Sequence, residues 1–132
     1  MKSQPTPYYS AIPALANVYL EDSYVMAMSE TDMGLLVEMV FVLRKGHPLY
    51  VEPGPEAYYC YHGGSIIFDH PTQIQWLDKK MKKFTDEDGN TDYGTLHSLN
   101  VDGNTYALHG EFGRVTITAP KDVKIVLTGN DP

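Results

Sequence analysis

The chain is poor in cysteine, in positive charge and in long apolar runs, and each shortage removes a class of protein. Cys60 is its one cysteine. A lone thiol closes no intramolecular disulfide and builds no cysteine-rich zinc site, which fits a reducing compartment and makes the cytoplasm the expected location. The five histidines are His47, His62, His70, His97 and His109. None forms an HxH, HxxxH or HExxH pair, so no local metal motif is present and neither metal nor cofactor is expected. Ten Lys and Arg stand against seventeen Asp and Glu, a formal net charge of −7. Such a chain lacks the broad positive field that draws proteins to nucleic acid or anionic membrane. The longest apolar-rich stretch, Leu35 to Leu43, contains Glu38 and is too short to span a bilayer. Met1-Lys2-Ser3-Gln4-Pro5 leads into no apolar core of a secretory signal, so none is expected.

What is present is β-forming sequence with frequent turns. At 132 residues the chain has the size of one domain. Pro5, Pro7 and Pro13 make residues 1–13 an extended N-terminal arm, followed by a single β-rich domain over 14–132. Val18 to Met28 reads as two short strands separated by a bend at Glu21-Asp22-Ser23, and Glu30 to Gly34 as a turn. Leu35 to Arg44 is the strongest strand. Leu35, Val37, Met39, Phe41 and Leu43 form a wholly apolar face; Leu36, Glu38, Val40, Val42 and Arg44 form a mixed one. That pattern predicts a central strand covered on most of both sides, with a partner for Glu38. A proline loop over His47–Glu56 precedes a Tyr58–Tyr61 strand, a turn at Gly63-Gly64 and a partner strand Ser65–Phe68.

Gln73–Trp76 alternates, with Ile74 and Trp76 inward. Leu99–Val101, Asp102-Gly103 and Thr105–Leu108 form a hairpin signal, and Arg114–Thr118 and Val123–Leu127 read as two further strands. Leu77 to Phe84 looks helical. The sum is an all-β fold, an antiparallel β-sandwich or partly open β-barrel of about eight or nine strands with one short helix at 77–84.

Several clusters invite a chemical reading. Lys79, Lys80, Lys82 and Lys83 offer positive charge, but without interleaved arginine or aromatics they read as a solvated turn paired with Asp78, Asp86 and Glu87. Asp86 to Asp92 spaces oxygen ligands like a calcium loop. Its glycine falls at the fourth position and His97 occupies the twelfth, so a polar turn is the better reading. Cys60 and His62 share a strand face, the spacing of a thiolate–imidazolium pair, although an ordinary buried cysteine needs less. Glu21, Asp22, Glu38 and Glu56 are acids near apolar segments that a paired acid–base mechanism would need facing one another.

The least ordinary feature is aromatic. Of ten tyrosines, Tyr50, Tyr58, Tyr59 and Tyr61 surround the proline loop, with Trp76 further on. Tyrosine gives contact area and a hydroxyl at low entropic cost, which suits recognition, and it also serves sheet faces well. Tyr50, Glu56, Tyr58, Tyr59, Tyr61, His62 and Trp76 are accordingly the candidate binding residues.

The run His47-Pro48-Leu49-Tyr50, Pro53-x-Pro55-Glu56, Tyr59-Cys60-Tyr61, Asp92-Tyr93-Gly94 and Gly113-Arg114-Val115-Thr116-Ile117 resembles a group of small bacterial β-rich proteins of unassigned activity. The resemblance covers residues 18–118 and implies a bacterial, stand-alone β domain. More distantly the chain is similar to small acidic immunity proteins that neutralise toxins. The expected function is a non-catalytic binding module for a protein partner, immunity-like in character. Two alternatives stand beside it. One is a small-ligand carrier with an apolar pocket lined by Phe41, Tyr59, Phe68 and Trp76. The other is an enzyme using Glu56 and His62. Oligomeric state is open at this level.

Overall fold

The computed structural model describes residues 12, 15–55, 59–85, 87–89, 91–120 and 123–129. The extended arm expected over 1–13 lies outside them, Ile12 excepted. In chain order the strands are β1 (Tyr24–Thr31), β2 (Gly34–Leu43), β3 (Cys60–Asp69), β4 (Gln73–Lys79), β5 (Phe84–Thr85), β6 (Thr91–Asp92), β7 (Leu96–Asp102), β8 (Thr105–Gly110), β9 (Gly113–Thr118) and β10 (Lys124–Gly129). Two four-stranded antiparallel sheets result, ordered β1-β2-β3-β10 and β4-β9-β8-β7, with β5 and β6 as a separate ribbon. The fold is all-β and sandwich-like, as the alternation and turn spacing predict.

The apolar face of β2 is what seats the sheets on one another. Leu35, Val37, Met39, Phe41 and Leu43 are each at most 2 % exposed. They join Ile66 and Phe68 of β3 in one core with Leu99 of β7, Tyr106 and Leu108 of β8, and Val115 and Ile117 of β9. Phe68 meets Tyr106 edge-on across the sheets at 5.2 Å. Each such side chain contributes roughly 1.5–3 kcal/mol by leaving water.

β1 runs along the end of the second sheet where Lys79, Gly113, Gly110 and Leu96 lie in register. At its start Tyr24 bridges to Thr95, and Leu96 donates its N–H to the Ser23 carbonyl at 3.1 Å. Toward its finish, Trp76 of β4 donates its indole N–H to Glu30 at 3.2 Å. Among the described residues no ladder joins β10 to β4, so the barrel stays open on that side.

Three expectations need correction. The helix at 77–84 is absent. Leu77–Lys79 complete β4, a bulge falls between Trp76 and Asp78, and Phe84–Thr85 form β5. Met81 has φ +47°, which no helix accommodates. A segment this short gains little as an isolated helix, and pairing with β9 outweighs its lysine and methionine propensities. Gly63-Gly64 is no turn either, because β3 runs unbroken from Cys60 to Asp69. Gly64 is required instead by close approach: a Cβ there would run into the Phe41 ring and the Val126 carbonyl of β10. Finally, the second face of β2 is covered only in part. Leu36 and Val40 are half-buried and Glu38 is exposed, since among the described residues no third layer packs on that side.

Candidate functional site

Val42 points away from the core yet is only 1 % exposed, and it is absent from the core cluster. What surrounds it is aromatic. Residues 17–19 pair with the end of β2: Tyr19 donates its N–H to the Val42 carbonyl at 2.8 Å, and Arg44 donates to Asn17 at 2.8 Å. On the other side Tyr61 of β3 sits in register with Val42. Between these neighbours the 3-10 turn Leu20–Asp22 carries the chain from Tyr19 to β1. Its Asp22 carboxylate accepts the Tyr59 hydroxyl at 2.5 Å.

Four tyrosines thereby form a continuous ladder. Tyr19 meets Tyr59 edge-on with centroids 6.2 Å apart. Tyr59 meets Tyr61 edge-on at 6.0 Å, and Tyr61 lies tilted against Tyr24 at 6.4 Å. The Arg44 guanidinium caps the Tyr19 ring at 4.7 Å. Edge-to-face and cation–π contacts of this kind hold a cluster in fixed geometry. Tyr24 and Tyr61 stay open to solvent, at 37 % and 43 %. Partial burial, then the neighbouring Tyr24 and Asp22, push the Tyr61 phenol above its ordinary pKa, so it is a neutral donor at physiological pH.

Of the residues singled out from sequence, Tyr59 and Tyr61 enter this ladder. Tyr50 lies next to it, with Tyr59, Tyr19, Arg44, Pro53 and Cys60 around a recess of about 210 Å³. Burial and the adjacent Glu52 hold the Tyr50 phenol up as well. Glu56 and Tyr58 lie outside the described residues. Trp76 is elsewhere, on β4, edge-on to Phe112 at 6.4 Å. Phe41 and Phe68 are fully buried in the core, so the four residues named for an apolar carrier pocket do not line a common one. His62 places Nδ1 at 3.1 Å from the Gly63 carbonyl, and the Cys60 sulfur accepts the Val51 N–H at 3.4 Å. Tyr19, Tyr24 and Arg44 were not legible as site residues, and Asp22, a candidate acid in the sequence, serves instead as the acceptor of the Tyr59 hydroxyl. They join Tyr59 and Tyr61 only through non-local strand pairing.

The outer face of the second sheet carries a smaller polar arrangement. His97 Nε2 lies 3.2 Å from Glu111, and the His97 ring meets His109 edge-on at 5.4 Å. Burial first, then Arg114, His97 and Lys80, hold His109 below its ordinary pKa, with Glu111 opposing. Among the described residues no three His, Cys, Asp or Glu side chains are placed to hold a metal ion. The four lysines of 79–83 are exposed; Lys80 reaches Asp78 at 3.6 Å. No helix among the described residues is long and apolar enough to cross a membrane.

Comparison with known proteins returns no match: no family model, no curated protein and no solved structure.

Proposed function

We propose that the protein is a non-catalytic binding module that recognises a basic surface of a protein partner through the Tyr19–Tyr59–Tyr61–Tyr24 ladder. The observation that carries this reading is the open Tyr24–Tyr61 end beside the Asp22 carboxylate. Tyrosine and arginine dominate binding hot spots because they bring rigid area and a polar tip. The ladder already stacks one guanidinium, that of Arg44 on Tyr19. Its other end offers the same ring chemistry, in a chain of net charge −7, to an arginine or lysine arriving from outside. An acidic module that captures a basic protein is also how an immunity-like neutraliser would work.

The test uses a short arginine-rich peptide and its glutamine-substituted counterpart, followed by fluorescence anisotropy at low and physiological salt. The arginine peptide is expected to bind and the glutamine peptide not to. The double variant Tyr24→Ala, Tyr61→Ala should weaken binding about tenfold or more. Those substitutions leave net charge unchanged, so they separate the ladder from general attraction to an acidic protein. Affinity unaltered in the double variant would defeat the proposal.

A further inference from the structure

A second concave site lies between β1 and β4 and shares no residue with the tyrosine ladder. Its walls are Met28, Leu35, Trp76, Met81 and Tyr93, its rim holds Glu30 and Lys79, and its volume is about 370 Å³. This falls at the small end of ligand pockets, which are apolar clefts with few convergent polar groups.

Three of the walls are anchored by contacts made before any ligand arrives. Tyr93 donates its N–H to Val25 of β1 at 2.8 Å. Lys80 and Met81 both donate to the Phe112 carbonyl, at 2.8 and 3.0 Å, which holds Met81 in its left-handed conformation beside the cleft. A non-glycine residue kept there is tolerated only where the surroundings over-determine it. Trp76 is locked between Phe112 and Glu30.

The two rim charges are not equivalent. The Glu30 carboxylate already accepts the indole N–H. The Lys79 ammonium lies 5.1 Å from the centre of the Trp76 ring, and among the described residues no carboxylate comes within ion-pairing distance of it. Lys80, Lys82 and Lys83 follow directly, a local run of positive charge on an acidic chain. Thioethers and aromatic faces suit a flat apolar body, and a free ammonium at the edge suits an anion attached to it. We infer that this cleft binds a small aromatic carboxylate, its ring system against Met28, Met81 and Tyr93 and its carboxylate on Lys79.

Trp76 is the single tryptophan, so its indole N–H gives one assignable resonance at the site itself. The probes are 2-naphthoate and its neutral isostere 2-naphthamide, titrated into the labelled protein and followed by that resonance. Saturable movement with 2-naphthoate is expected, with affinity about tenfold lower for the amide and for Lys79→Gln. Lys79 is exposed, so that variant should fold normally, which the unchanged remainder of the spectrum would verify. An indole resonance that stays still, or equal affinity for acid, amide and variant, would overturn the assignment. Because the tyrosine ladder is separate, either site can fail without the other.

Discussion

Ser23 illustrates how much one hydroxyl can hold. It is fully buried, its Oγ donates to the Tyr19 carbonyl at 2.9 Å, and it accepts the Val42 N–H at 2.9 Å. It therefore completes the edge of β2 at the point where the 3-10 turn leads into β1, and it sets the spacing between Tyr19 and Tyr24. Ser23→Ala would leave a buried N–H without an acceptor, and the expected loss is about 1–3 kcal/mol. Urea unfolding would measure it as a lower midpoint with an unchanged slope. A variant within about 0.5 kcal/mol of the parent would mean that water replaces the hydroxyl there. In the sequence, Glu21-Asp22-Ser23 reads as a bend between two short strands; the bend is there, but only the strand after it forms, and before it Val18 makes a single bridge to Leu43. The serine's role could not be read, because Val42 lies 19 residues away and only the folded chain brings it near.

Among the elements, β3 and β4 differ from their sequence patterns, and β4 shows the reason most clearly. Leu77 to Phe84 is rich in lysine, leucine and methionine, all good helix formers, yet its first residues are claimed by β9. The junction depends on Gly113, which pairs with Lys79 and has φ +121°. A Cβ at that position would collide with the Asp78 carbonyl. Gly103, in the β7–β8 turn, has φ +61° but open space around it. Gly113→Ala should therefore cost clearly more than Gly103→Ala, and more than about 1 kcal/mol in its own right. Thermal unfolding of the two variants side by side measures the difference, and equal losses would show that neither the collision nor the more extreme φ of Gly113 carries the expected cost. The β1–β2 and β7–β8 hairpins and the inward face of β2 were legible because turn residues and period-two alternation are local signals. The tyrosine ladder and the β1–β4 cleft were not, since each draws on segments that are distant along the chain.

At the scale of the whole molecule, the arrangement of the sheets makes a spectroscopic prediction. The tyrosine ladder lies on and beside the first sheet and the single tryptophan on the second, so tryptophan reports on the second layer while the tyrosine signal, Tyr106 of β8 included, draws on both layers. Their inner faces are nonetheless one core: Phe68 packs on Tyr106, and β1 is fastened to Thr95 at its start and to Trp76 toward its finish. Neither sheet could lose its partner without exposing a continuous apolar face, a cost of tens of kcal/mol at roughly 25 cal/mol per Å². Unfolding should accordingly be a single cooperative transition, with tryptophan fluorescence and the near-ultraviolet circular dichroism of the tyrosines tracing the same curve in urea. An earlier tryptophan transition would mean that β4 and its cleft open as a local unit while the core holds, which would place that edge at the low-stability end of the molecule. An earlier tyrosine transition would assign the same looseness to the ladder, and the rigid recognition surface inferred for it would then have to form on contact with the partner.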